Sequence, residues 1–126
     1  MKAWSSTAGP YGALWALEIE ANGAASVTHW RGPVEPAQER HFTVAPKDRS
    51  AITKAVEEAK FFELPEHLGP SEVPLHGPEN TLHIEFDGRV RRVVLFDPSR
   101  ERGPEVERFK RAWNAVAALS PIRPPL

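Results

Sequence analysis

Cysteine is absent from the 126-residue sequence, which contains one methionine and one tyrosine. Without cysteine the chain forms no disulfide, offers no thiolate ligand to zinc and has no cysteine nucleophile. No apolar run approaches the roughly 20 residues that a membrane-spanning helix needs, so we expect no membrane span. The first residues also lack the pattern of a signal peptide. The compartment stays open between the cytoplasm and, after removal of a signal or lipid anchor, the cell envelope.

The chain has little net charge, formally -1 at pH 7, but its charges are unevenly spread. Residues 1–88 carry 7 basic and 13 acidic side chains, whereas residues 89–111 carry 8 basic and 4 acidic ones. We interpret the basic segment as solvent-facing positions that pair in part with the acidic half. The competing hypothesis is a basic patch for nucleic acid, which we rank third among the functions because acidic residues dilute the segment.

The composition is otherwise that of a folded protein, with 40% hydrophobic and 26% charged residues. A chain of this length is one domain by usual sizes and can bury a core without disulfides. We therefore predict a single domain over residues 1–126. Residues 1–12 are predicted to be a loose N-terminal segment, and residues 120–126 a proline-rich tail.

A repeated motif organises the sequence. The segment Leu17–Gly23 recurs 65 positions later as Leu82–Gly88, and both copies read Leu-x-Ile-Glu-x-(Asn/Asp)-Gly. Asn-Gly and Asp-Gly between apolar runs are strong hairpin signals, because both residues tolerate positive φ. Each copy predicts a strand, a tight turn and a second strand, and an amphipathic helix follows each copy along the chain.

Two loop lengths are possible for the first hairpin. A two-residue loop would place Leu17 opposite Thr28, whereas a three-residue loop over residues 21–23 places Leu17 opposite Val27. We prefer the three-residue loop because it collects more apolar side chains on one face, and the buried face fixes the register.

The same three-residue loop, applied to the second hairpin, sorts its side chains onto two faces. Leu82 and Ile84 would share a face with residues 90, 92 and 94. His83 and Glu85 would lie on the other face, opposite Arg89 and Arg91.

The remaining pattern completes the fold. A third strand is predicted at 39–44, a helix that starts near Pro46 and is stopped by Pro65, and a second helix that starts near Pro104. We predict an α+β fold with an antiparallel sheet of about five strands in the order ββ(β)αββα, two helices packed on one face, and an internal ββα pseudo-repeat. Residues 65–79 contain four prolines and two glycines, and loops of this length in compact domains are often functional.

The sequence contains none of the common catalytic motifs for serine hydrolases, zinc proteases, phosphate-binding loops or dinucleotide binding. The one catalytic candidate is the strand face with His83, Glu85, Arg89 and Arg91, which resembles a general base beside an anion clamp. We favour the competing interpretation, a solvent-facing strip of cross-strand pairs worth a few tenths of a kcal/mol each. No metal or cofactor is predicted, because the histidines and carboxylates lack ligand spacing.

Candidate binding residues lie in the long loop and on the strands, namely His67, Leu75, His76, Trp30 and Arg92. The function we favour is a non-catalytic protein-binding module of accessory, inhibitor or immunity type, with a protein partner. A small enzyme that uses the His/Glu/Arg face is the alternative, and nucleic-acid binding comes third.

The hairpins and the end of the first helix also carry a family resemblance. The matching residues are Trp15, Leu17, Ile19, Asn22, Gly23, Phe61, Phe62, Leu82, Ile84, Asp87 and Gly88. In this layout the chain resembles small bacterial domains of unknown function, many of them exported or lipid-anchored. Those domains have an aromatic-x-Leu-x-Ile-x-x-Asp-Gly hairpin, a helix ending in Phe-Phe, and a second hairpin and helix. Many carry Cys-Pro before the first strand, where this chain has Tyr11-Gly12. The resemblance covers about residues 13–119 and implies a fold but no site.

Overall fold

The structure is a computed structural model that describes residues 1–6, 14–30, 36–69, 79–86, 88–96 and 101–124. In these ranges the chain forms seven strands, two α-helices and one 3₁₀ turn. The strands are β1 (Lys2–Ser6), β2 (Leu14–Ile19), β3 (Ala24–Trp30), β4 (Gln38–Thr43), β5 (His67–Leu68), β6 (Glu79–Phe86) and β7 (Arg89–Phe96). The helices are α1 (Pro46–Glu58) and α2 (Pro104–Ala117), and the 3₁₀ turn is Phe61–Glu63. The predicted α+β class with antiparallel strands and two helices is confirmed.

The strands form two groups of three, which β1 joins. Antiparallel pairing links β2, β3 and β4, whereas β7 pairs antiparallel with β6 and parallel with β5. Strand β1 pairs antiparallel with β2 on one side and with β6 on the other. The resulting order is β4-β3-β2-β1-β6-β7-β5, so the prediction of about five strands is wrong.

The two additional strands lie where the sequence predicted no regular structure. The loose N-terminal segment predicted at 1–12 is wrong for Lys2–Ser6, which is the central strand, and residues 7–12 lie outside the described residues. This short segment has no clear alternation of apolar and polar residues, and it is a strand because it has partners on both sides. The two-residue β5 lies within the predicted loop, and its Leu68 is buried.

Alternate strand positions and both helices contribute to one buried cluster. We call this side of the sheet the inner face and the opposite side the outer face, because successive strand side chains point to opposite sides. The largest fully buried side chains are Trp15, Phe61 and Phe109. The amphipathic helix α2 buries one side, which includes Val106, Phe109, Trp113, Val116 and Ala117.

Both helices begin at the predicted prolines, Pro46 and Pro104, where the fixed φ of proline suits the first turn. Helix α1 ends earlier than predicted, at Glu58 rather than close to Pro65. Lys60 adopts a left-handed conformation with φ 53° and turns the chain into the 3₁₀ turn. Arg108 of α2 supports this turn, donating from Nε to the Ala59 oxygen at 2.8 Å and from Nη2 to the Lys60 oxygen at 2.7 Å.

The register predicted for the first hairpin is confirmed. Leu17 lies opposite Val27, Ile19 opposite Ala25 and Trp15 opposite His29. Gly23 ends the three-residue loop with φ 93°, in the left-handed region that favours glycine.

The register predicted for the second hairpin is wrong by one residue. Leu82 lies opposite Val93 and Ile84 opposite Arg91, so the loop has two residues rather than three. Val93 and Leu95 are both fully buried. The observed register places both on the inner face with Leu82, whereas the predicted one would have turned them to the outer face.

Candidate functional site

The observed register separates the four residues of the catalytic hypothesis. His83 lies opposite Arg92 and Glu85 opposite Val90, so His83 and Glu85 are on the outer face. Arg89 and Arg91 alternate with Arg92 along β7 and therefore belong to the inner side of the sheet. The predicted strip with all four residues on one face is not formed.

Arg89 and Arg91 both bind to the segment that ends α1. Arg89 Nη2 lies 2.8 Å from Oε1 of Glu57, and its guanidinium carbon is 4.4 Å from the ring centroid of Phe62. Arg91 donates from Nε to the main-chain oxygen of Leu64 at 2.8 Å. These contacts hold the second hairpin against α1 and the 3₁₀ turn. They engage both guanidinium groups with α1 and the segment that follows it.

His83 and Glu85 remain close together. Nε2 of His83 lies 3.0 Å from Oε1 of Glu85, with 24% of the His83 side chain and 67% of the Glu85 side chain exposed. An imidazole beside a carboxylate on one strand has the proximity that a general base and its orienting group require. The catalytic role of the pair stays a prediction.

The pair lies at a cleft of about 1080 Å³ at one end of the sheet. The first hairpin contributes Glu18, Ile19, Glu20 and Ala21, the second contributes His83, Glu85 and Phe86, and Met1 lies at the start of β1 between them. The lining from α1 consists of Pro46, Arg49, Ser50, Ile52, Thr53, Lys54 and Glu57. The two copies of the repeated motif thus form opposite sides of one cleft, and α1 forms a third.

Local contacts of Gly23 and Arg49 fix the position of α1 relative to the first hairpin. The Gly23 oxygen accepts a 2.8 Å hydrogen bond from the Val44 nitrogen, just before the helix. One turn into α1, Arg49 donates from Nη1 to the Ala21 oxygen at 2.6 Å. A β-carbon at Gly23 would lie 2.6 Å from the Val44 oxygen, closer than real contacts allow. The glycine of the motif therefore permits the close approach that places α1 at the cleft.

The cleft combines an apolar base with a charged border. Ile19 and Ile52 are almost fully buried, whereas the glutamates and Lys54 are exposed. Four carboxylates and three cationic groups line the cleft; the carboxylates belong to Glu18, Glu20, Glu57 and Glu85, and the cations to Arg49, Lys54 and the N-terminal ammonium of Met1. The carboxylates come from the first hairpin, α1 and β6, so they line the cleft from three parts of the fold.

Among the predicted binding residues that the structure describes, Trp30 lies far from His67. His67 is exposed and its ring stacks on Phe96, with centroids 5.9 Å apart and planes 7° apart. Arg92 is exposed and Trp30 half-buried, both on the outer face. Trp30 on β3 and His67 on β5 are five strand spacings apart, or about 24 Å. Leu75 and His76 lie outside the described residues.

Sequence reasoning missed the contribution of α1. Ser50 and Lys54 occupy positions that the helical pattern assigns to the side away from the core, whereas Arg49 and Thr53 flank the buried stripe of Ile52 and Val56. That pattern distinguishes buried from exposed positions but cannot tell open solvent from a cleft bordered by a distant hairpin. The one sequence signal for the cleft itself was that Glu20 and Glu85 occupy the same position in the two copies of the motif.

Among the described residues, no group of three or more histidines and carboxylates is placed to hold a metal ion. Within the same ranges, neither helix is long and apolar enough to cross a membrane. A scan of protein-family models finds no match, and a search of curated proteins also finds none. The resemblance to the small bacterial domains therefore stays a prediction.

Proposed function

We propose that this domain is a non-catalytic binding module, of accessory, inhibitor or immunity type, whose cleft receives a protein partner. The observation that carries the proposal is the position of the cleft between both copies of the repeated motif and α1. An apolar base with a polar border is the usual composition of a site that buries part of a ligand.

The surroundings of His83 support binding over catalysis. The catalytic hypothesis requires two guanidinium groups beside the His–Glu pair, to clamp an anionic group of the substrate. Arg89 binds Glu57, and Arg91 binds the Leu64 oxygen. With these two donors engaged elsewhere, the pair lacks the clamp that defined the catalytic candidate.

Two neighbouring exposed residues of α1 allow a matched test. Ser50 lines the cleft, whereas Ala51 does not. The variants Ser50→Trp and Ala51→Trp add the same bulk to the same helix, and Ser50→Trp alone fills the cleft. Each variant and the parent protein would be used to capture partners from lysate of the native host at physiological salt. Captured proteins would then be purified and their stoichiometry measured by calorimetry.

We expect a stoichiometric partner that the parent protein and Ala51→Trp retain and Ser50→Trp loses. A partner that all three proteins bind equally would place the binding surface outside the cleft. A third variant, His67→Ala, tests whether the end of β5 contributes. The absence of any specific partner would contradict the proposed function.

The alternative, a small enzyme, is favoured by one observation, the 3.0 Å contact between His83 and Glu85 at the cleft. The chain provides an internal control, because His41 and Glu39 form a similar pair at 3.2 Å on the exposed β4. Ester, phosphoester and peptide substrates would be tested with the parent protein, His83→Gln and His41→Gln. Hydrolysis lost only in His83→Gln would support an enzyme over a binding module.

Two features of the fold are proposed as well, namely the placement of the helices and the relation between the two halves of the chain. We propose that both helices pack on one face of the sheet and that the two ββα halves are related by a pseudo-twofold axis near β1. The single buried cluster supports the first statement. The sheet order, with one motif hairpin on each side of β1, supports the second.

A further inference from the structure

We propose that the outward edge of β4, the side that faces away from β3, is a self-association surface at which two copies of this chain pair antiparallel. The sheet ends at β4, and among the described residues β3 is its one strand partner. The strand at the other end, β5, has two residues, whereas β4 has six, of which only Phe42 is not exposed. A long exposed edge strand presents main-chain groups that can pair with another chain.

The register shows which main-chain groups of β4 point outward. The Val44 nitrogen donates to the Gly23 oxygen at 2.8 Å, one step beyond the last pair of the β3–β4 ladder. Hydrogen-bonded and non-hydrogen-bonded pairs alternate along an antiparallel ladder, so the even-numbered residues of β4 bond to β3. The N–H and C=O groups of the odd-numbered residues point away from β3, namely those of Glu39, His41 and Thr43.

Two symmetric registers use most of this edge. One register places Arg40 directly opposite Arg40 of the second copy, and like charges in that position are destabilising. The other is centred on His41, which then lies opposite His41 of the second copy, and it pairs Glu39 with Thr43. Three residue pairs then exchange two main-chain hydrogen bonds each. The second register is therefore favoured, because it avoids the repulsion and uses every outward group of residues 39–43.

The side chains of the favoured register complement each other. On the inner face, exposed Arg40 lies opposite half-buried Phe42 of the second copy, where its guanidinium group can stack on the ring. On the outer face, Nε2 of each His41 lies 3.2 Å from Oε1 of its own Glu39, so a carboxylate flanks each imidazole at the axis. Each of these contacts forms twice by symmetry. This self-complementarity identifies a second copy of the chain as the occupant of the edge.

The surface is separate from the site of the proposed function. None of the residues that line the cleft belongs to β4. An interface between two six-residue strands is also small, below the roughly 1200 Å² of standard interfaces, so we expect a dissociation constant on the order of 100 µM.

The absence of cysteine permits a cross-linking test without background. His41→Cys places two thiols opposite each other across the axis, with Cα atoms about 5.5 Å apart. Gln38→Cys places the same thiol at an exposed residue of the same strand, where the two copies lie about 20 Å apart along the strands. Both variants would be treated with a short bifunctional maleimide at about 100 µM protein, the expected dissociation constant. The rate of dimer formation would be followed by denaturing electrophoresis.

Sedimentation velocity over a range of concentrations measures the association of the parent protein and three variants. His41→Pro removes an outward N–H group, at the kind of edge position where proline is tolerated in strands. His41→Lys places like charges opposite each other and keeps the main chain intact, which covers the case that His41→Pro does not fold. Gln38→Lys makes the same change of side chain outside the paired residues 39–43.

We expect the parent protein to dimerise with rising concentration and His41→Pro to remain monomeric. His41→Lys should weaken the dimer about fivefold, and Gln38→Lys less than about twofold. His41→Cys should cross-link at least about tenfold faster than Gln38→Cys, because pairing raises the effective concentration of its thiols.

Equal cross-linking rates, or a parent protein that stays monomeric at about ten times the expected dissociation constant, would overturn the proposal. A dimer that survives both His41→Pro and His41→Lys would place the interface elsewhere and overturn it as well. A monomeric parent protein that captures a different protein from lysate, and loses it in His41→Pro, would show that the edge receives another protein's strand and not a second copy. The capture experiment with Ser50→Trp and Ala51→Trp decides the function of the cleft independently of these outcomes.

Discussion

The indole nitrogen of Trp15 donates a 2.8 Å hydrogen bond to the main-chain oxygen of Ile122, beyond the end of α2. Trp15 is fully buried, and its ring meets that of Trp113 edge-on with centroids 5.6 Å apart. A buried indole needs an acceptor for its N–H group, and here the acceptor comes from the predicted proline-rich tail. This tail therefore packs against the domain as far as its described residues extend.

Removal of residues 121–126 is expected to destabilise the domain by about 1–3 kcal/mol, because the Trp15 N–H group loses its acceptor while buried. The free energy of unfolding would be measured by urea denaturation. Arg123→Ala, at an exposed residue of the same segment, is the control and should change stability by less than about 0.5 kcal/mol. An unchanged midpoint in the truncated protein would contradict the structural role of Ile122.

The glycines of the two motif turns are expected to respond differently to alanine. Gly23→Ala places a β-carbon 2.6 Å from the Val44 oxygen at φ 93°, whereas Gly88→Ala meets nothing within 4 Å at φ 75°. Gly88→Ala should cost about 1 kcal/mol from backbone strain, and Gly23→Ala at least about 1 kcal/mol more. Thermal and urea unfolding of both variants provide the measurement. Equal losses would mean that the close approach of α1 to the first turn is absent in solution.

Val90 and Val93 test the register of the second hairpin. Val93 is fully buried, and Val90 is 60% exposed. Val93→Thr should destabilise by about 1–3 kcal/mol, because it buries a hydroxyl group, and Val90→Thr by less than about 0.5 kcal/mol. Denaturant midpoints of the two variants would show the difference. A larger loss of stability in Val90→Thr than in Val93→Thr would instead support the register predicted from the sequence.

Arg108 and Arg111 lie on the same helix but differ in their contacts. Arg108 donates to two main-chain oxygens after α1, those of Ala59 and Lys60, whereas the Arg111 side chain is exposed. Arg108→Met is expected to cost about 1–2 kcal/mol, since charge-assisted hydrogen bonds to carbonyl groups at a helix end are lost from a partly exposed site. Arg111→Met, measured in the same urea titration, should change stability by less than about 0.5 kcal/mol. A comparable loss of stability in both variants would mean that the change in net charge, and not the hydrogen bonds of Arg108, causes the effect.

Local features of the sequence predicted the elements that have strong signals of their own. The Asn-Gly turn and the alternation of Trp15, Leu17 and Ile19 identified the first hairpin with its correct register. Pro46 and Pro104 marked both helix starts. These predictions depend on residues close together in the chain, so the period of the pattern carries the information.

The sequence pattern was not sufficient where a strand is apolar on both faces or where pairing joins segments that are distant in the chain. Strand β7 carries apolar residues on both faces, so its pattern allowed two registers, and burial of Val93 and Leu95 decided between them. Strand β1 has no distinctive pattern, and its pairing with β2 and β6 makes it central. For the candidate site, the sequence predicted one face for His83, Glu85, Arg89 and Arg91, whereas the observed register separates the two arginines from the pair. The contribution of α1 to the cleft was not predicted.

The sequence alone determined two hairpins, two amphipathic helices and a motif that occurs twice, because turns and periodicity depend on neighbouring residues. Only the tertiary structure decided that β1 lies between the two copies, that Arg89 and Arg91 bind the end of α1, and that Glu20 and Glu85 face one cleft. These relationships join residues far apart in the chain. They arise when the whole apolar surface is buried at once, and no local pattern encodes them.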